Sequence, residues 1–254
     1  MDLSWLSRTE LLIGRESLQK LSESHVMVIG LGGVGSFAAE FVARSGVGQM
    51  TIVDGDVVDP TNRNRQLVAL ATNHGISKAD IMAERIRQIN PEIKLEVVNA
   101  FIQPESVFEL LQGRPDFLIE AIDSITPKLT VISTALKLKI PFVSSMGAGG
   151  RIDPTKLRVA DIAHTFGCPF AQQIRKQLKN TFQLSTGFLA VFSTESADRE
   201  SVIHTDGSKF KKSAYGTISY LPAVFGATTA SVAIRSLVGL PIDVFVSSGR
   251  KKKQ

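Results

Sequence analysis

A chain of 254 residues, 43% hydrophobic and 21% charged, can bury a large soluble core. A formal charge of +5 and a pI near 9.4 admit an anionic macromolecular partner as well as an ordinary solvated surface. The single cysteine, Cys168, excludes an internal disulfide and a cysteine-ligated zinc site. With no secretory signal pattern in M-D-L-S-W-L-S-R-T-E, a reducing, cytoplasmic setting is expected.

Leu11, Leu12, Leu18 and Leu21 recur at a roughly helical period, which predicts a helical lead-in over Ser7–Ser22. Val26–Ile29 is a predicted strand. It runs into Gly30, Gly32 and Gly35 at G-x-G-x-x-G spacing and then a helix that Gly46 and Gly48 stop. Met50–Val53 is a second strand, ending on Asp54. After the polar loop Asp59–Gln66 come a helix over Lys78–Ile89, closed by Asn90-Pro91, and a strand over Leu95–Val98. A helix (Pro104–Leu111), a strand (Phe117–Ile122), a helix (Leu129–Leu138) and a strand (Phe142–Ser145) follow. The alternation predicts an α/β fold, a Rossmann-like, doubly wound, mainly parallel sheet with a C-terminal extension.

Beyond Met146–Gly150 the texture changes. Arg151–Asp161 reads as extended, Phe170–Leu178 as an amphipathic helix, and Phe188–Gly216 as irregular, with basic residues at Lys209–Lys212. Ile218–Ile234 approaches membrane-spanning length, but Pro222, Gly226 and its serines and threonines favour a buried core or interface helix. The tail Arg250–Gln254 is a bare charge run. The expected organisation is one domain over 1–254. Residues 1–150 form its nucleotide-binding half, and 151–254 form a half for substrate binding and dimerisation.

The glycine turn has a strand before it and a helix after it, the context in which backbone N–H groups meet a phosphate. Asp54 is placed for ribose hydroxyls. The extra Gly33 and the ending Asp54-Gly55-Asp56 point away from a dinucleotide. Asn62, Arg65, Gln66 and then Lys78 follow, and Arg65 and Lys78 suit the β- and γ-phosphates of a triphosphate. Asp123, ending the fourth strand beside the same crevice, is a candidate Mg²⁺ ligand or a helix cap.

G-L-G-G-V-G-S, D-G-D-x-V, N-x-N-R-Q, Lys78 and A-I-D-S together resemble the adenylating domain of the E1-like superfamily, which includes the activators of ubiquitin-like proteins in molybdopterin and thiamine synthesis. The resemblance implies ATP and Mg²⁺ as cofactors. Arg65, Lys78 and Asp123 would be catalytic, as would Arg8, which would reach the partner's phosphates across a homodimer. In the second half, Ser144–Thr165, R-K-Q-L-K and Val191–Glu195 are similar to the bacterial tRNA threonylcarbamoyladenosine dehydratases. That implies adenylation of the N6-threonylcarbamoyladenosine carboxylate at position 37 of tRNA, then ring closure by its carbamoyl group. Candidate tRNA contacts are Arg151, Lys156, Arg158, Arg175, Lys176, Lys179 and Lys209–Lys212. Sulfur-relay proteins of the cysteine-desulfurase type are further candidate partners. An activator of a ubiquitin-like sulfur carrier is the nearest rival reading. A nicotinamide oxidoreductase and a non-catalytic RNA-binding scaffold are more distant ones.

Overall fold

The computed structural model describes residues 2–198, 200–204 and 213–247. Lys209–Lys212 and the tail Arg250–Gln254 lie outside the described residues. A three-residue 3₁₀ turn, Ser4–Leu6, opens the chain. The predicted lead-in is two helices, α1 (Ser7–Ile13) and α2 (Arg15–Glu23), because Gly14 at φ 82° breaks the run. The break separates the leucines. Leu18 and Leu21 of α2 are buried, whereas Leu11 and Leu12 of α1 are 89% and 84% exposed.

The Rossmann half follows as β1 (His25–Ile29), α3 (Gly35–Arg44), β2 (Gln49–Val53), α4 (Lys78–Ile89), β3 (Lys94–Val98), α5 (Val107–Leu111), β4 (Phe117–Glu120), α6 (Ile125–Leu138) and β5 (Phe142–Ser145). Helix α5 starts later than predicted and α6 four residues earlier, with Pro127 in the first turn of α6, where its missing N–H costs nothing. Then come β6 (Leu157–Asp161), α7 (Pro169–Phe182), β7 (Leu189–Ser193), β8 (Val202–His204), β9 (Ser213–Tyr215) and α8 (Tyr220–Val238).

Seven strands form one sheet in the order β3-β2-β1-β4-β5-β7-β6, parallel except for β6 against β7; β8 and β9 pair separately as an antiparallel ribbon. Strand β7 corrects the expectation that Phe188–Gly216 is irregular. L-A-V-F-S is a short apolar run buried on both faces beside β5. The strands distribute side chains to two layers with period two. Val26, Val28, Met50, Ile52, Phe117 and Ile119 face one layer with α3, α4 and α8. Met27, Ile29, Leu118 and Phe192 face the other with α5, α6 and α7. Helix α8 is long and apolar enough to cross a membrane, and half of its apolar stretch is buried within the fold against α3 and the sheet.

The chain leaves β1 in one direction toward β2 and β3, and in the other toward β4 and β5. The crevice at the carboxyl ends of β1 and β4 is therefore the topological switch point, where open α/β sheets bind ligands.

Candidate active site

One side of the crevice is built by the glycine turn. Gly30, at φ 90°, donates its N–H to Val53 O at 2.8 Å, and a Cβ there would stand 2.9 Å from Ala121 O of the strand across the switch point. A Cβ on Gly35 would stand 1.7 Å from Gly30 O, so only glycine lets α3 start this close to β1. Gly33 packs against Pro222 at the start of α8. Gly32 differs: a Cβ there would meet nothing nearer than Gln66 Nε2 at 3.9 Å. Its backbone faces open space at the foot of a helix, where a phosphate can approach. Gln66 is 8% exposed, and its Oε1 has no hydrogen-bond partner. A buried amide with spare bonding capacity beside the turn fits a polar ligand there.

Asp54 directly follows β2, and its carboxylate turns back on the glycine turn. Oδ2 accepts from Leu31 N–H at 2.6 Å and Oδ1 from Asp56 N–H at 2.7 Å. Burial raises its pKa, opposed mainly by the charge of Lys78. Lys78 is buried as the first residue of α4, with Nζ 3.2 Å from Asp56 Oδ2. Ser77 caps that helix by accepting from Asp80 N–H.

The loop between β2 and α4 is held by its own polar bonds. Asp59 Oδ1 accepts from Thr61 N–H, and Asn62 Oδ1 accepts from Asp59 N–H, a reciprocal cap on the 3₁₀ turn Pro60–Asn62. Asn62 is thus spent partly on the loop itself. Arg65 is half-buried, with Nη1 donating to Thr61 O and Asn64 Oδ1. Asn64 Nδ2 donates to Thr217 O, which ties this loop to the segment before α8.

Across the switch point, Ala121 N–H donates to Ile29 O at 2.9 Å, extending the pairing of β4 with β1 by one residue. Asp123 follows, exposed, with Ser124 at the cap position of α6. No group of three metal-ligating side chains occurs among the described residues. Mg²⁺ does not require one, because it takes one or two carboxylates, phosphate oxygens and water, and one exposed aspartate at the crevice fits that donor set. Arg8 lies on α1, exposed, on a helix that packs against α2.

Sequence patterning did not single out Glu120 or Lys128, a fully buried ion pair directly behind Asp123. The signal was present: an acid closing the apolar strand F-L-I-E, and a lysine eight residues on between the buried Pro127 and Leu129 of α6. Two expected tRNA contacts move inward. Arg151 is buried, donating to the carbonyls of Gly147, Gly149 and Glu195. Arg175 is half-buried, and its guanidinium donates to Thr165 Oγ1. Both hold loops, and Arg151 is withdrawn from the surface, whereas Arg175 keeps part of its surface open and Lys156, Arg158, Lys176 and Lys179 are exposed. Cys168 is buried at the N-cap of α7, where Sγ accepts from Ala171 N–H.

A glycine turn, a cation loop and an acid gathered at the switch point of a parallel sheet define a Rossmann-like nucleotide-binding protein. The chain belongs to the ThiF family, whose sequence model matches residues 6–250. It is 39% identical over 254 aligned residues to the tRNA threonylcarbamoyladenosine dehydratase of Escherichia coli K12, covering 92% of this chain and 95% of that protein. Its identity to the Bacillus subtilis protein of the same name is 40% over 243 residues, covering 93% and 95%. The crystal structure of the E. coli enzyme TcdA in complex with ATP superposes with a TM-score of 0.85 at 39% identity, over 93% of this chain and 95% of that one.

Proposed function

We propose that this chain uses ATP to activate the carboxylate of N6-threonylcarbamoyladenosine in tRNA and to close it into the cyclic form with loss of water. The observation that carries this reading is the open backbone at Gly32 beside the orphaned Gln66 Oε1, at the switch point of the sheet, in a chain alike over nearly its whole length to enzymes named for that reaction.

A substrate carboxylate oxygen attacks the α-phosphorus of ATP, the bond to the β-phosphate breaks, and pyrophosphate leaves. The carbamoyl group then attacks the activated carbonyl carbon, and the oxygen lost by the substrate departs on AMP. The attack is intramolecular, so no enzyme nucleophile is needed, in keeping with a buried Cys168 that offers no exposed thiol.

In this reading the Gly32 region and the start of α3 hold phosphate through backbone N–H groups. Gln66 and Asn62 orient it, and Arg65 and Lys78 neutralise the leaving pyrophosphate, Lys78 exchanging its contact with Asp56 for phosphate oxygens. Asp54 meets the ribose with the lone pairs that Leu31 and Asp56 leave free. Asp123 would hold Mg²⁺, which would supply neutralisation of phosphate charge.

Arg8 would act on the partner's site in a homodimer. The exposed Leu11 and Leu12 beside it support that arrangement, because leucines this exposed on one short helix suit a covered face. Lys156, Arg158, Lys176 and Lys179 would meet the tRNA backbone. A sulfur-relay partner of the cysteine-desulfurase type rests on family resemblance alone.

The test is pyrophosphate release with ATP and tRNA carrying the linear nucleoside, together with mass spectrometry of the nucleoside product. Wild-type protein yields the cyclic nucleoside. Arg65→Ala and Asp123→Ala keep the wild-type melting curve and lose about a hundredfold or more in turnover. Full activity in either variant, or release driven by a sulfur-carrier protein instead of tRNA, overturns the assignment.

A further inference from the structure

Behind Asp123, the side chains of Glu120 at the end of β4 and Lys128 in α6 have no solvent exposure, and Lys128 Nζ lies 2.5 Å from Glu120 Oε2. The pair grips the intervening loop at one residue, through the two successive peptides that flank the Ile122 Cα. Lys128 Nζ donates to Ile122 O at 3.0 Å, and Ile122 N–H donates to Glu120 Oε1 at 2.8 Å. Ile122 is the residue immediately before Asp123.

The same two groups reach across to β5. Lys128 Nζ donates to Ser145 O at 2.9 Å, and Ser144 Oγ donates to Glu120 Oε2 at 2.5 Å. The ring of Phe170 lies 5.6 Å from Nζ. Burial disfavours the charge on Lys128, and the charges of Glu120 and then Asp123 favour it.

A buried ion pair is a weak way to stabilise a fold, because desolvation cancels most of the attraction and well-packed apolar residues often serve as well or better. What such a pair can supply is direction. Here its hydrogen bonds converge on the two peptides leading into Asp123 and on the end of the neighbouring strand. We propose that Glu120 and Lys128 are positioning residues: they fix the peptides on both sides of Ile122, and through them the Asp123 carboxylate, against the end of β5. The proposal rests on the functional reading above, in which Asp123 faces the phosphates. It gives a role to two charges that sit where neither touches solvent.

The test replaces the pair with a neutral one of similar volume, Glu120→Leu with Lys128→Met, and measures thermal unfolding, ATP affinity by calorimetry, and turnover as tRNA-dependent pyrophosphate release. The double variant is expected to melt at or above the wild-type temperature and to bind ATP within about twofold, while kcat falls about tenfold or more. Added to Asp123→Asn, the same pair of changes causes no further loss, because the group being positioned is already disabled.

Ser144→Ala removes one bond to Glu120 without touching charge. It keeps ATP affinity and lowers kcat about threefold or more, which covers the case of a double variant that does not fold. A folded double variant or Ser144→Ala protein with wild-type kcat overturns the proposal, as do losses that multiply with Asp123→Asn. Wild-type protein that releases no pyrophosphate with this tRNA sinks the functional reading and the proposal with it. Active wild type beside an equally active double variant sinks the proposal alone.

Discussion

Gly32 and Gly35 stand three residues apart in one turn, and different constraints select them. At Gly35 the constraint is internal. A Cβ would fall 1.7 Å from a backbone oxygen that cannot move without parting α3 from β1. Gly35→Ala is expected to cost about 3 kcal/mol or more, at the upper end for overpacking, measured by urea unfolding. At Gly32 the space is open, so Gly32→Ala is expected to leave stability within about 0.5 kcal/mol. Its methyl group would occupy the place of the phosphate, and calorimetry is expected to show ATP affinity lowered about tenfold or more. Wild-type ATP affinity in Gly32→Ala would move the phosphate away from this backbone. A glycine pattern names both positions alike; only the neighbours of each missing Cβ separate scaffold from binding surface.

The Rossmann half was legible as elements because β1, β2 and β4 are apolar runs closed by a glycine or an acid, and the helices between the strands carry apolar residues at a helical period. Strand β7 was obscured because L-A-V-F-S is short and sits between polar segments, with its partners β5 and β6 far off in sequence. At the site, residues with a spacing signature were found, whereas Glu120 and Lys128 meet only because β4 and α6 fold against each other. Helix α8 read as a buried core or interface helix, and its place is set by Gly226. A Cβ there would come 2.5 Å from Val34 O and 2.8 Å from Phe37 Cβ of α3. Alanine improves intrinsic helix propensity by about 1 kcal/mol. Clash with the backbone of α3 outweighs that gain, so Gly226→Ala is expected to destabilise by about 1–3 kcal/mol in denaturant unfolding. A stabilised variant would mean that α8 is free to slide on α3.

At the scale of the whole molecule, the glycine turn, the cation loop and Asp123 gather at the carboxyl end of one sheet, while Arg8 sits on α1 beside two exposed leucines. In an isologous dimer each surface is used twice, so a residue lent across the interface serves the partner's site and never its own. That arrangement is tested by complementation. Arg8→Ala alone and Arg65→Ala alone are each expected to be inactive as homodimers. After mixing and subunit exchange, a heterodimer holds one site with Arg65 from one chain and Arg8 from the other, and a second site with neither. An equal mixture that exchanges freely contains about half heterodimers with one competent site of two, so pyrophosphate release is expected to recover to about a quarter of wild type. No recovery in a mixture shown by mass spectrometry to have exchanged would place Arg8 in service of its own chain's site, or of none. Leu11→Asp with Leu12→Asp is expected to yield monomers by sedimentation and to block the recovery, because a surface that remains dimeric without its two most exposed leucines is not joined through α1.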